Sequence, residues 1–254
     1  MMETLIKFCE KNGLIVAFLI VGLIVYIASI VSKKITNNKL PTAAIAIILG
    51  LILAYIGGSY TLGEKGIADI KIFTGLGTMG GPMFRDFAIV STALGASLLV
   101  IKKSGWLGVI SLILGVSLSF LFGVAIALLW GYRDAISLTT VGAGACTYIV
   151  GPVTGAAIGA SSDLIALSIA TGVVKAIIVA IGTPAVARII GLNNPHTAMV
   201  FGGMVGTNTG VMAGLAATDP KLVPYGAMTA TFYTGLGCLI CPSVFFLIMQ
   251  QLFN

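Results

Sequence analysis

Gly151-Pro-Val-Thr154-Gly155-Ala-Ala-Ile-Gly159 and Gly206-Thr-Asn-Thr209-Gly210-Val-Met-Ala-Gly214 are two copies of one motif, G-x-x-T-G-x-x-x-G, and their first residues are 55 positions apart. The copies lie within two apolar segments, residues 136–160 and 197–218, that otherwise have the character of membrane helices. Glycine and proline disfavour a regular helix interior. We therefore predict that both helices are interrupted halfway across a membrane and that their broken tips form a binding site for a small anion.

The composition indicates a membrane protein. Of the 254 residues, 58% are hydrophobic and 9% are charged, whereas a soluble domain has about 25% charged residues. So few charges could not cover a surface that faces water. Several apolar runs approach the ~20 residues that a spanning helix needs. The sequence therefore predicts an all-α polytopic membrane protein.

Charge and motif content exclude several classes of function. The net charge of +6 comes from basic residues in short loops, which indicate the cytoplasmic side of a membrane rather than nucleic-acid binding: Lys33, Lys34, Lys39, Lys102 and Lys103. One histidine and four cysteines predict no transition-metal site. A phosphate-binding loop is absent from the sequence, so the chain is not a nucleotide-driven pump by itself. No nucleophile is paired with a base, so we expect neither an enzyme nor an organic cofactor.

Four membrane spans are predicted before the first motif copy, at residues 14–31, 42–57, 87–101 and 105–130. Trp106 and Trp130 at the two ends of the fourth span would be roughly 36 Å apart in a helix, which matches two interfacial aromatic belts. The glycine-rich residues 74–82 are predicted to be an extended segment instead of a helix. Two further helices are predicted at residues 163–187, between the motif copies, and at residues 223–249.

The order of the segments leaves two topologies open. If residues 136–160 dip into the membrane and return, the Arg188 end of the next helix faces the cytoplasm, as the positive-inside rule prefers. Residues 197–218 then enter from the opposite face, which is an inverted-repeat arrangement typical of secondary transporters. The alternative is two broken helices that cross completely. Residues 131–254 are predicted to be the transport part, and the scaffold against which they move is either residues 1–130 or a partner subunit.

An interrupted membrane helix offers two kinds of binding group. The new N-terminus presents free N–H groups that suit a carboxylate, and the new C-terminus presents carbonyls that suit Na⁺. A lysine in mid-helix is costly and indicates function by default, although a structural partner is the alternative. The predicted substrate-binding residues are Thr154, Gly155, Lys175, Thr209 and Gly210, and the predicted sodium ligands are Thr147, Val150, Gly206 and Asn208.

Three charged residues are candidates for gating or coupling. Asp163 and Asp219 follow the two motif copies at similar distances, although both also suit helix N-caps. Arg85 belongs to an Arg-Asp pair that recurs as Arg133-Asp134, again before a helical segment.

The last glycines of the two motifs, Gly159 and Gly214, are predicted to allow close packing between helices.

The chain resembles the M subunit of bacterial sodium/malonate symporters (MadM type) over nearly its whole length. The resemblance is carried by residues 44–57 (AIAIILGLILAYIG), Arg85-Asp-Phe-Ala-Ile-Val90, Gly142-Ala-Gly-Ala, Thr147 to Ser162, Ala170-Thr-Gly172 with Lys175, and Gly214-Leu-Ala-Ala-Thr-Asp219. It implies import of malonate with Na⁺ across the bacterial inner membrane, by a multi-pass protein that works with a small L-type membrane subunit.

The second half of the chain is also distantly similar to the LrgB/CidB membrane proteins. That similarity implies an alternative function, an exporter or regulatory membrane protein that forms a pore with a small partner. The sequence leaves open the oligomeric state, the number of sodium ions and the range of dicarboxylates.

Overall fold

The computed structural model describes residues 2–37, 42–61, 66–79 and 98–253, and all regular secondary structure in these residues is helical. The described residues include four stretches that are long and apolar enough to cross a membrane: Gly13–Lys34, Gly105–Leu129, Ser162–Val186 and Pro220–Phe253. The predicted all-α polytopic membrane protein is confirmed. The chain forms two compact units, one of residues 1–38 and 42–88 and the other of residues 39–41 and 89–254.

The first unit consists of helices α1 (Met2–Lys11), α2 (Gly13–Lys34), α3 (Thr42–Thr61) and α4 (Thr74–Met79), with two 3-10 turns before α4. Helices α2 and α3 lie where the first two spans are predicted. Glycines allow close approaches within this unit, because a Cβ at Gly57 would lie 2.6 Å from the Ile67 Cα. The prediction of an extended segment is wrong for Thr74–Met79, which forms a short helix.

The second unit begins with α5 (Leu98–Leu129), whose backbone departs from helical geometry at Gly105 (φ 65°, ψ −172°). A positive φ is readily adopted only by glycine, so this residue separates a short first part from the apolar span. Trp106 and Trp130, at the two ends of that span, are 76% and 69% exposed. The structure therefore agrees with the predicted fourth span, and the exposed tryptophans suit a lipid–water interface.

The first interrupted segment forms helices α6 (Ala135–Cys146) and α7 (Val150–Ala157). The Asp134 side chain begins α6 by accepting a hydrogen bond of 2.8 Å from the Ser137 amide. The two helices pack antiparallel, since a Cβ at Gly151 would lie 2.9 Å from the Gly144 Cα and a Cβ at Gly155 would lie 2.9 Å from the Thr140 Cγ2. The segment is therefore a hairpin, which we call the first hairpin.

Helix α8 (Ser162–Val186) connects the two interrupted segments. Ser161 caps its first turn by accepting from the Leu164 amide. The first hairpin lies along the N-terminal half of α8, where glycines allow the backbones to touch at Gly144 and Ser168 and at Gly172 and Tyr148.

The second interrupted segment forms α9 (Pro195–Val205) and α10 (Asn208–Thr218). Asn194 begins α9 with a complete capping box that includes Thr197. Helix α10 lies along the C-terminal half of α8, where Gly210 contacts Ala176 and Gly214 contacts Thr183.

The contacts of helix α11 (Val223–Ile240) show that the second segment also folds back. Helix α9 runs parallel to it, because the Met199 carbonyl accepts from Thr229 and Gly206 contacts the Tyr233 ring. Helix α10 runs antiparallel to it, since Asn208 contacts Thr231 while Leu215 contacts Gly226. Helices α9 and α10 are therefore antiparallel to each other and both pack on α11 at Gly226, and we call this pair of helices the second hairpin.

A π-helical turn (Cys241–Phe245) and α12 (Phe246–Phe253) complete the predicted last span. A buried apolar core joins α5, the first hairpin and α11, and it includes Phe120, Leu138, Val150 and Tyr233. The predicted boundary after residue 130 separates a scaffold from a transport part and stays a prediction, whereas the compact units divide near residue 88. Arg85 and most of the predicted third span, residues 87–101, lie outside the described residues.

Candidate functional site at the hairpin tips

The tips of the two hairpins meet beside the middle of α8. The first tip touches α8 at Gly172, and the N-terminus of α10 touches it at Ala176. A hydrogen bond joins the tips directly, because the Tyr148 hydroxyl donates to the Thr209 Oγ1 over 3.2 Å. Two irregular backbone segments that lie deep among apolar helices are thereby brought into contact.

The first tip satisfies its own backbone groups. Thr147 is extended (φ −156°, ψ 158°) and ends α6. Its Oγ1 accepts from the amides of Ile149 (3.2 Å) and Val150 (3.1 Å), and its carbonyl accepts from the amide of Gly151 at 3.2 Å. Thr147, predicted as a sodium ligand, thus caps the N-terminus of α7, while Val150 is fully buried as the first residue of that helix.

At the second tip, polar groups remain without hydrogen-bond partners among the described residues. Gly206 ends α9 in the left-handed conformation (φ 76°), with its Cα against the ring of Tyr233. Thr207 precedes α10 as an N-cap residue, but its side chain accepts no hydrogen bond from the helix. Its methyl group faces Gly210, since a Cβ there would lie 2.9 Å from the Thr207 Cγ2. The Thr207 Oγ1 is completely buried and has no hydrogen-bond partner among the described residues.

Asn208 adds a second unpaired oxygen to this tip. Its Nδ2 donates to the Thr231 Oγ1 over 3.1 Å, and the Thr231 hydroxyl donates in turn to the Ala227 carbonyl over 2.9 Å. Because the Thr231 proton is used, the Asn208 amide group is the donor, and this fixes which atom is oxygen. The Asn208 Oδ1 is buried without a partner in the part of the chain that the structure describes.

Lys175 lies between the tips, on the side of the first. Its ammonium donates to the Cys146 carbonyl (3.0 Å), the Ser119 Oγ (2.9 Å) and the Tyr233 hydroxyl (3.5 Å). It also lies 5.3 Å from the centre of the Tyr233 ring, within the range of a cation–π interaction. The three donors of the ammonium group therefore meet three protein acceptors.

The structure brings together only part of the predicted substrate site. Lys175 and Thr209 lie at the tips, and Gly210 lies in the first turn of α10, where its lack of a side chain admits the Ala176 carbonyl. Thr154 and Gly155 instead lie in the middle of α7, a full turn beyond its start. The Thr154 Oγ1 is buried without a partner among the described residues, so its binding role stays a prediction.

Thr154 and Gly155 lie away from the first tip because the sequence motif and the hairpins differ in register. The motif copies are 55 residues apart, but the N-caps that begin the hairpins, Asp134 and Asn194, are 60 residues apart. The first interruption accordingly falls at residues 147–149, before Pro152, while the second falls inside its motif copy. The interruption predicted near Pro152 therefore exists but lies before that residue, because proline is tolerated in the first turn of a helix.

The other predicted residues lie at the outer ends of the helices. Asp163 is exposed in the first turn of α8, and Asp219 caps the turn Pro220–Leu222 by accepting from the Lys221 amide at 3.0 Å. Their role in gating stays a prediction. Gly214 packs closely on α8 as predicted, but Gly159 has a positive φ of 79° with open space around its Cβ position, so the packing prediction for it is wrong.

Sequence reasoning missed three side chains at the tips: Tyr148, Ser119 and Tyr233. Tyr148 lies in the first interruption itself, so a search of those residues for polar groups would have found it. Ser119 and Tyr233 belong to regular helices, and no local signal distinguishes them.

The family model for the malonate/sodium symporter MadM subunit matches residues 5–253. The chain belongs to this family. It is therefore a transporter subunit, and the coupling ion of the family is sodium. No individual curated protein and no solved structure matches the chain, and the distant LrgB/CidB similarity stays a prediction.

Proposed function

We propose that this subunit carries malonate across the bacterial inner membrane with Na⁺, together with a small L-type subunit, and that one malonate carboxylate binds at the N-terminus of α10. The observation that carries the proposal is the buried, unpaired Thr207 Oγ1 at a helix N-terminus that no side chain caps. A buried hydroxyl without a partner costs about 1–3 kcal/mol, and a ligand would remove that cost.

Helix geometry supports a carboxylate at this position. The first amides of a helix have no intrahelical partner, and in α10 these are the amides of Asn208, Thr209 and Gly210. Together with the helix dipole they favour an anion. The hydroxyls of Thr207 and Thr209 can add donors. The N-terminus of α7, in contrast, is already capped by Thr147.

The unpaired oxygens supply what the sodium ion needs. The Asn208 Oδ1 can only accept, and the Thr207 Oγ1 can present a lone pair, so both suit a hard cation such as Na⁺. They lie next to the amides that would hold the carboxylate. We place sodium and substrate side by side at the second tip, with carboxylate oxygens completing the sodium coordination.

This proximity provides the coupling. Malonate is a dianion, and its entry among apolar helices is costly unless the charge is compensated. A cation about 4 Å from a carboxylate contributes about 4 kcal/mol at an effective dielectric constant of about 20. Each ligand therefore binds well only in the presence of the other.

The hairpin arrangement suits alternating access. The first hairpin lies along one half of α8 and the second along the other half, with their tips in contact. We interpret this as the inverted repeat of a secondary transporter. In this interpretation residues 131–254 form the transport part, and the Tyr148–Thr209 hydrogen bond joins the hairpins around the substrate.

The test is uptake of radiolabelled malonate into proteoliposomes that contain this subunit with its small partner, with Na⁺ or with choline. We expect uptake only with Na⁺. Asn208→Leu should raise the Na⁺ concentration needed for half-maximal uptake, while Asn193→Leu, an exposed asparagine at the outer end of the second hairpin, should leave it unchanged. Sodium-independent uptake, or an unchanged sodium response in Asn208→Leu, would contradict the proposal.

A further inference from the structure

The environment of the Lys175 ammonium is that of a bound cation. Cys146, whose carbonyl it contacts, is the last residue of α6, a helix of 12 residues that ends inside the protein. The final carbonyls of a helix have no intrahelical partners and carry about half a negative charge. The Ser119 oxygen and the Tyr233 hydroxyl oxygen and ring complete the surroundings.

Tyr233 is itself held in place by two further contacts. The Tyr233 hydroxyl donates to the Gly115 carbonyl over 3.1 Å, so it offers its lone pair to the ammonium. The Tyr233 ring also packs on Gly206 at the interruption of the second hairpin. The lysine thus connects α5, the end of α6 and, through Tyr233, the second tip.

We propose that Lys175 is a tethered cation that occupies the C-terminal end of the first half-helix, where a mobile sodium ion would otherwise be needed. Lys175 is then a positioning residue that fixes both tips, and it does not contact malonate. The first tip contributes no sodium site, and ion coupling resides at the second tip. This last consequence rests on the proposed function, whereas the tethered cation does not.

The alternative is that Lys175 binds a malonate carboxylate directly. Both roles predict that Lys175→Ala transports poorly, so loss of uptake does not distinguish them. They differ in stability and in rescue. A tethered cation holds the ligand-free protein together, and a small free cation can replace it. A substrate ligand changes mainly the KM for malonate, by about 10–150-fold for one charge-assisted hydrogen bond.

The experiment measures the thermal unfolding midpoint of the purified protein with its partner subunit, without malonate, in choline chloride. Lys175→Ala should unfold at a lower temperature than the parent protein. Propylammonium, which matches the deleted part of the side chain, should restore at least half of the difference. Propanol, of similar size without charge, should not. Lys175→Met fills the same volume without charge and should be destabilised but insensitive to propylammonium.

Malonate uptake provides the second readout. Propylammonium should return the KM of Lys175→Ala to within about threefold of the parent value, a residual difference of less than 1 kcal/mol. A Lys175→Ala protein of parental thermal stability with a KM raised tenfold or more would overturn the proposal, as would destabilisation that propanol relieves equally well.

If Lys175→Ala cannot be purified, Ser119→Ala and Tyr233→Phe serve as the test, because each removes or weakens one contact of the ammonium. We expect lower thermal stability, with a KM that stays within about threefold of the parent value. A raised KM at unchanged stability would show that the ammonium serves the substrate. If Asn208→Leu shows an unchanged sodium response, the proposed function is contradicted. The stability results for the Lys175 variants do not depend on that outcome.

Discussion

Replacing Thr207 by valine should stabilise the ligand-free protein and weaken its ligand binding. The substitution exchanges the Oγ1, which is buried without a partner among the described residues, for a methyl group of similar size. Valine is normally a poor N-cap residue because it lacks the capping oxygen. Thr207 makes no capping hydrogen bond, so that loss does not arise here.

The structure predicts that Thr207→Val raises the stability of the ligand-free protein and lowers its affinity for the ligand. Removal of a buried, unpaired hydroxyl should relieve up to about 1–3 kcal/mol in the ligand-free state. Loss of a hydrogen bond to a charged ligand should cost the bound state about 1.5–3 kcal/mol, which is about 10–150-fold in affinity. A purely structural threonine with an unpaired hydroxyl would show the stabilisation but no loss of ligand affinity.

The assay combines thermal unfolding of the purified complex without ligands and equilibrium binding of radiolabelled malonate in saturating Na⁺. Thr139→Val is the matched control, because the Thr139 Oγ1 is also buried and unpaired in the described part of the chain, but it lies two turns before the first tip. It should be stabilised with unchanged affinity. Thr154→Val, measured alongside, tests the sequence-based assignment of that residue. Malonate affinity of Thr207→Val within about twofold of the parent, less than 0.5 kcal/mol, would refute the reasoning.

Three further predictions follow from the same geometry. Gly206→Ala should destabilise the protein by at least about 1–2 kcal/mol, the cost of a left-handed non-glycine residue, because φ is 76° and the new methyl group would meet the Tyr233 ring. Thermal unfolding checks this, and Gly235→Ala, with open space around its Cβ position, should be neutral or stabilising. Tyr148→Phe should raise the KM for malonate by about 2–12-fold, since it removes one neutral hydrogen bond of about 0.5–1.5 kcal/mol between the tips. Tyr225→Phe at the outer end of α11 is the control, and an equal KM in both variants would disprove a role for the contact. Asp134→Ala should cost about 0.5–2 kcal/mol as a lost N-cap, whereas Asp134→Asn should be nearly neutral. Burial acts to raise the pKa of Asp134, but hydrogen bonds from Ser137 outweigh it and leave the pKa below its ordinary value of 3.8. The stabilisation is therefore present above about pH 4 and is lost as pH falls through the lowered native pKa, which unfolding at pH 7 and pH 3 would show.

Local chemistry explains which parts of the fold were predictable from the sequence. The spans at α2, α3 and α5 depend on apolar length, and the cap at Asp134 depends on a polar side chain just before a helix; both signals are visible in the sequence. The second tip was predictable because glycine commonly ends a helix in the left-handed conformation, as Gly206 does at the end of α9. These features require no knowledge of distant contacts.

The first tip was displaced because the motif alone does not determine where a helix breaks. Pro152 lacks an N–H group, but within the first turn of α7 that group has no helical partner, so the proline starts a helix instead of ending one. Gly151 and Gly155 are required for close packing against α6 and α8. The break instead depends on Thr147, whose side chain caps α7 through the amides of Ile149 and Val150.

The two hairpins share one architecture but differ in what completes them. At the first tip the protein itself provides a partner for both half-helix ends, with the neutral Thr147 hydroxyl on the N-terminus of α7 and the Lys175 ammonium on the C-terminus of α6. At the second tip the N-terminus of α10 and two buried oxygens are left without such partners in the described chain. Ligand binding can therefore change the energy of the second tip by several kcal/mol while that of the first stays fixed, since a ligand shifts a conformational equilibrium only through its differential interactions. We infer that the second hairpin responds to sodium and malonate, and that the first hairpin, held by Lys175, is the rigid surface against which it closes.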